Sequence, residues 1–232
     1  MIKTPPILIV GCPRTGSSMV AGMINLCGAF GGNMIGPNPF TPKGMFENRE
    51  IREKVLKQLL RQNGYDPRGQ YPLPNPFDFE AQENLRERVE KIMISHGYVD
   101  GAWFYKDPKL CLYWTIWSNA FPKAKWIIVR RKTEDIVDSC MRTSFMTAYR
   151  DKKILEKVGA KTEAGGWSWF VEQHIKRFNE MELAELECAT IWSEPLIEGN
   201  FEALPGIIDW LGLKWNPEVT KFPDKKYWGT RR

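Results

Sequence analysis

A chain of 232 residues, 43% of them hydrophobic and 12% aromatic, is long enough to close one domain around a sizeable core. Its formal charge of +5 is mild and gathers into no basic stripe, which suits an anionic ligand and argues against a nucleic-acid partner. Five cysteines without a CxxC pair, and only two histidines, argue against a zinc centre or a disulfide framework and point to a reducing, cytoplasmic setting.

The first apolar run, Pro5 to Val10, is far shorter than a signal-peptide core or the roughly 20 residues that span a bilayer, so no membrane partner is expected. Within it, Ile7 to Val10 reads as a strand, and Ser17 to Leu26 follows as a helix. Gly28 to Gly44 is a Gly/Pro/Asn-rich loop, Glu47 to Gln62 a helix, and Gly64 to Pro76 a polar connection. Glu80 to Ser95 has helical periodicity, Ala102 to Lys106 is a second strand, and Leu110 to Asn119 a helix. Lys125 to Val129 is the clearest buried strand. The helix Thr133 to Met141 follows, with Thr133 expected at its N-cap and Glu134 and Asp135 in its first turn. Arg150 to Gly166 reads as loop or frayed helix, Trp167 to Leu186 as helix, Ala189 to Trp192 as strand and Phe201 to Leu211 as helix, before an irregular tail.

Strands separated by helices predict βαβ units. With no repeat and no break in composition, residues 1–232 are expected to form a single α/β domain: a three-layer, P-loop-like fold with a central parallel sheet flanked by helices. Ligands of such sheets sit beyond the carboxyl ends of the strands.

Two segments fall there. GCPRTGSS, Gly11 to Ser18, joins the first strand to the first helix, where backbone N–H groups and the positive end of the helix dipole form an anion site. A Walker loop would carry lysine after its second glycine; Ser17 stands there, and the positive charge lies at Arg14 beside the hydroxyls of Thr15, Ser17 and Ser18. The second segment is KWIIVRRKTEDIVDSCMRT, 125–143, whose strand ends in Arg130 and Arg131 where a Walker protein would place a magnesium-holding aspartate. Side chains alternate along a strand, so only one of the two arginines can face a given ligand. Taken singly, Arg14 reads as a solvated turn residue, the paired arginines as partners of Glu134 or Asp135, and Ser139 as a small packing residue.

Together the segments resemble the two signatures of sulfotransferases that use 3′-phosphoadenosine-5′-phosphosulfate (PAPS). The resemblance implies that Arg14, Thr15, Gly16, Ser17 and Ser18 hold the 5′-phosphosulfate. Arg131 and Ser139, which match the family's eight-residue Arg/Ser spacing where Arg130 does not, would hold the 3′-phosphate. PKGMFENREI at 42–51, FYKDPKL at 104–110 and FEALPGIIDWLGL at 201–213 are similar to bacterial and viral members. Arginine stands where many members carry lysine, which keeps the charge and adds a fork of donors.

Sulfuryl transfer needs a base, and cations or N–H groups on the leaving phosphate, but no metal. By resemblance, Arg14 steadies the leaving group; Lys106 reads either as a cation near the transferring group or as a solvated strand end. The segment after Lys106 lacks the histidine of cytosolic members, so Glu47 ranks first as base, Asp107 second and His174 third. Each has a plain structural reading: Glu47 beside its helix dipole, Asp107 in a turn before Pro108, His174 inside a helix. The acceptor is expected to be a small molecule or glycan that offers a hydroxyl or an amine for in-line attack. Trp103, Trp114, Trp117, Trp167 and Trp169 are candidates to line its cleft or to fill the core, and the loops 29–45, 64–78 and 143–166 are its expected walls. A P-loop kinase, and a silent nucleotide-binding relative, are the competing readings.

Overall fold

The computed structural model describes residues 1–79, 82 and 84–228. Strand β1 (Ile7–Gly11) runs between β2 (Phe104–Lys106) and β3 (Lys125–Arg130), and β4 (Cys188–Trp192) pairs with β3. The sheet order is β2-β1-β3-β4 with every pairing parallel. Register aligns Ile9 with Lys106 and Gly11 with Val129, so the Gly11–Ser18 loop, Lys106 and the Arg130–Arg131 pair emerge along one carboxyl edge.

All five residues of β1 are buried, as a central parallel strand requires. Its alternation divides the core. Leu8 and Val10 face the layer built on Tyr105, Trp126 and Ile128, which packs against α2 (Lys57–Gln62), α3 (Leu85–Ser95) and α4 (Trp114–Ala120). Ile7 and Ile9 face the opposite layer, built on α1 (Ser17–Leu26), α8 (Ser193–Glu198) and α9 (Leu204–Trp210). A third cluster joins α5 (Thr133–Arg142) to α7 (Glu163–Leu183) through Ile136, Cys140, Trp167 and Phe170, with the short α6 (Lys152–Lys157) alongside. Helices on both faces of a parallel sheet are the three-layer architecture expected from the sequence.

Several expected elements shift. Lys132 takes the N-cap of α5 and Thr133 its first turn, because the chain leaving Arg131 is still extended at residue 132 and no side chain caps the helix. The predicted helix Leu110 to Asn119 divides into a 3-10 turn, Pro108–Tyr113, and α4; Pro108 fits the first position of a helical turn and Asp107 caps it. The 47–62 helix begins after Asn48, whose Oδ1 accepts from the Glu50 and Ile51 amides, and passes through a π-helical turn, Ile51–Leu56, before α2. Of the predicted helix from Glu80, residues 80, 81 and 83 lie outside the described residues and α3 supplies the rest. The 150–166 stretch holds α6, Phe201 to Leu211 shortens to α9, and the tail forms 3-10 turns at Pro217–Lys221 and Lys225–Tyr227.

Candidate active site

The Gly11–Ser18 loop leaves β1 with its backbone bent twice into the left-handed region, at Arg14 (φ 76°) and at Gly16 (φ 88°). Glycine adopts that region freely, whereas arginine does so at a cost that surrounding structure must hold, and such outliers gather at ligand sites. Gly16 is the N-cap of α1 and offers no side-chain cap, so the first amides of the helix stay available to a ligand. Arg14 Nε donates to Ser139 Oγ at 2.9 Å, and Arg131 Nη1 donates to the Arg14 carbonyl oxygen at 3.0 Å. The two segments singled out in the sequence are thereby one site.

Alternation assigns the two strand-end arginines to different tasks. Arg130 turns outward to Glu182 at 3.0 Å and lies over the Phe178 ring, while Arg131 turns to the loop. Burial lowers the pKa of both Arg14 and Arg131, with Asp135 and Glu194 opposing the shift at Arg131; a guanidinium nonetheless stays charged. Neither forms a salt bridge among the described residues. Arg131 Nε and Thr15 Oγ1 are also buried without hydrogen-bond partners. Two adjacent cations, one of them with an orphaned donor, beside an orphaned hydroxyl are an arrangement that anionic oxygens would satisfy.

Beside them, Lys106 at the end of β2 donates through Nζ to Ser18 Oγ (3.0 Å), Glu47 Oε1 (3.0 Å) and the Met45 carbonyl (3.3 Å). Glu47 is 2% exposed and lines the cavity. Its Oε2 stands 2.8 Å from Arg52 Nε, an ion-pair contact whose angle falls outside hydrogen-bond alignment, so both atoms remain without a hydrogen-bond partner. One buried carboxylate oxygen is therefore ion-paired yet without a hydrogen-bond donor.

The other carboxylate and the histidine are placed differently. Asp107 is fully buried; Oδ1 accepts from the Lys109 amide (2.9 Å) and from Lys109 Nζ (2.7 Å), and Oδ2 accepts from Tyr105 Oη (3.2 Å). Burial pushes its pKa up, but the Lys109 ammonium and these hydrogen bonds outweigh that and hold it below the usual carboxylate range. His174 sits inside α7 between Phe170 and Phe178, its Nδ1 donating to the Phe170 carbonyl at 2.8 Å, and burial drives its pKa down to about 3. It borders the α5–α7 cluster and not the cavity.

The cavity holds about 460 Å³ and runs from Gly16 and Arg131 past Glu47 to the loops around Phe40, Arg68 and Phe145. Each of the three loops expected as walls contributes. The five tryptophans do not: Trp103, Trp114, Trp117 and Trp167 are buried in the core layers and Trp169 packs against Tyr149, since large rings close the gaps between helices and sheet. The tryptophan that does line the cavity, Trp228, comes from the tail. Its ring lies 3.9 Å from Arg131 Cζ and against Gly16, where an added Cβ would approach within 2.8 Å. Sequence reasoning missed Trp228, Arg52 and Lys109. Only the tail's run of aromatic and basic residues hinted at the first, and no pattern ties Arg52 to Glu47.

Among the described residues no His/Cys/Asp/Glu cluster suits a metal ion, and no helix is long and apolar enough to cross a membrane. A strand-to-loop-to-helix turn with two arginines and a lysine lies on the carboxyl edge of a parallel sheet, in an α/β fold consistent with that of sulfotransferases. Residues 5–217 match the Sulfotransferase family, and the chain belongs to that family. Sulfuryl transfer is the reaction for which the family is named. Solved structures share the fold at low identity. Sulfotransferase STF9 from Mycobacterium avium is 15% identical with a TM-score of 0.56, over 94% of this chain and 66% of its own. The sulfotransferase domain of the Synechococcus PCC 7002 olefin synthase is 14% identical with a TM-score of 0.54, over 94% of this chain and 76% of its own. A sulfotransferase from Alicyclobacillus acidocaldarius is 13% identical with a TM-score of 0.52, over 94% and 89%. The chain thus spans just under two thirds of the length of the mycobacterial enzyme. No curated protein sequence matches it.

Proposed function

We propose that this protein transfers a sulfuryl group from PAPS to a hydroxyl of a small acceptor, with Glu47 as the base. The observation that carries this is that Arg14 meets both Ser139 and Arg131, each far from it in sequence, at 2.9 and 3.0 Å. A ligand with phosphate groups at both its 5′ and 3′ positions needs two anion subsites in one cavity, and this junction supports that.

In this reading Arg14, the amides of the Gly11–Ser18 loop and the Ser17 and Ser18 hydroxyls hold the 5′ end, and Thr15 Oγ1 gains the partner it lacks. Arg131 and Ser139 hold the 3′-phosphate. PAPS supplies the activated sulfuryl group and carries away the charge of the broken bond as adenosine 3′,5′-bisphosphate. Lys106, tied to Ser18 and Glu47, brings a positive charge to the transferring group, and Glu47 Oε2 accepts the proton of the incoming hydroxyl. Arg52 orients that carboxylate. Asp107, engaged at both oxygens, is the cap of the turn after β2 and not the base. The cationic strand end at Arg131 stands where a metal-holding acid would be needed, so the reaction is read as metal-independent. A cytoplasmic setting fits the five unpaired cysteines.

Calorimetric titration with adenosine 3′,5′-bisphosphate, beside ATP with magnesium, tests this. Tighter binding of the bisphosphate without metal is expected. Preference for ATP with magnesium, or no binding of the bisphosphate, overturns it.

A further inference from the structure

The acceptor end of the cavity has a chemistry of its own. Its walls are the turn 38–44, the segment 143–147 and the polar connection around Arg68 and Gln70. Phe40 and Phe145, from different loops, meet edge to face with ring centroids 5.0 Å apart, and they are 43% and 40% exposed. Pro39, Pro42 and Met146 extend the same apolar surface.

The polar side chains on this wall are already engaged by the protein. Gln70 donates to the Phe145 carbonyl and accepts from the Thr147 and Ala148 amides. Asn38 donates to Thr41 Oγ1 and accepts from the Phe40 and Thr41 amides. Lys43 Nζ donates to the Phe222 carbonyl, and Lys109 is held by Asp107. Arg68 is the exception, with 3.5 Å side-chain contacts to Asp66 and Thr147, and it sits exposed at the rim. Deeper in, Glu47 Oε2 and Arg52 Nε form an ion pair but have no hydrogen-bond partner.

A sugar brings a ring of hydroxyls, and each one desolvated without a partner weakens binding. This wall offers few free donors or acceptors to meet them. It does offer apolar surface, with one polar point deep in the cavity and one at the rim. We infer that the acceptor is an alcohol or phenol with a single reacting hydroxyl on an apolar body, and not a sugar. Its hydroxyl points to Glu47 and its body lies against Phe40 and Phe145. The inference rests on the sulfotransferase reading. In it the acceptor oxygen forms the new S–O bond as the bond from sulfur to the donor's phosphate oxygen breaks, and the hydroxyl proton goes to Glu47.

The test uses the full chain. Binding of adenosine 3′,5′-bisphosphate is measured first, and its failure sinks the family mechanism itself. With binding in hand, bisphosphate release from PAPS is followed with 2-naphthol, phenol and 1-octanol beside glucose and maltose, at matched concentrations. The expected result is turnover with at least one apolar alcohol that exceeds either sugar by roughly 10-fold or more. Phe40→Ala and Phe145→Ala should each raise KM for that alcohol several-fold while bisphosphate affinity stays unchanged, and Phe145→Tyr should retain the low KM. Greater turnover with a sugar overturns the inference, as does no turnover of any apolar alcohol by a chain that binds the bisphosphate. An unchanged KM in both alanine variants removes the Phe40–Phe145 surface as the seat of the acceptor.

Discussion

The two ends of the cavity are built on different principles. The anionic end stands on the sheet: Arg14, Lys106 and Arg131 leave β1, β2 and β3 within one or a few residues of the strand ends, and their placement is inherited from strand register. The acceptor end stands on loops, where Phe40, Arg68 and Phe145 are positioned by local turns and by Gln70 bridging two segments. Charged groups that must meet a fixed anion benefit from rigid supports, because a small misplacement forfeits directed hydrogen bonds. Surfaces that choose among acceptors can lie on loops that vary without disturbing the scaffold.

The largest test of this division strikes where the two ends meet. Glu47→Gln keeps the side chain's size and removes its base, so kcat should fall by roughly 10²- to 10⁴-fold with bisphosphate affinity unchanged. Retained turnover would take Glu47 out of the mechanism.

The next test concerns the joint beneath the cavity, where Lys109 ties the end of β2 to the polar connection: it pairs with Asp107 and packs on Gly69. Breaking a buried pair by removing one partner typically costs about 3–5 kcal/mol, so Lys109→Met should lower Tm markedly at pH 7. Because the Asp107 carboxyl is held below its ordinary value of 3.8, its contribution is fully present above that pH and is lost as pH falls through the depressed value. The gap between wild type and Lys109→Met should therefore close on acidification below about pH 4. A gap independent of pH would mean that the lysine acts by packing alone.

On the anionic end, Arg131→Met should weaken bisphosphate binding by roughly 10- to 100-fold, the worth of a charge-assisted hydrogen bond, with Arg131→Lys intermediate. The acceptor's KM should not follow. Calorimetry and initial rates separate the two, and a shared loss would show that the ends are not independent.

The smallest effect is expected at Trp228. Its ring centroid lies 3.9 Å from the Arg131 Cζ, so it helps to pin the arginine. Trp228→Ala should cost about 2- to 5-fold in bisphosphate affinity, in line with roughly 0.5–1 kcal/mol for such a contact, and Trp228→Phe should recover part of it. Tighter binding in Trp228→Ala would mean instead that the tail obstructs the site.

What the sequence determined by itself was whatever is written in neighbouring residues. The apolar run Ile7–Val10, the glycine turn and the Ser17–Leu26 helix were legible because strand, turn and helix signals are local. The choice of Arg131 over Arg130 was half legible: strand alternation required that they part, and the Arg/Ser spacing said which one to keep. The N-cap of α5 was misjudged because capping depends on where the strand actually releases the chain. Tertiary structure alone decided that Arg14 meets Ser139, that Glu47 is caught between Lys106 and Arg52, and that the five core-seeking tryptophans yield the cavity to Trp228 from the tail. Except for Glu47 and Arg52, which are near neighbours in the chain, those contacts join segments dozens of residues or more apart. Their geometry comes from packing two helical layers on one twisted sheet, and no periodicity along the chain encodes it.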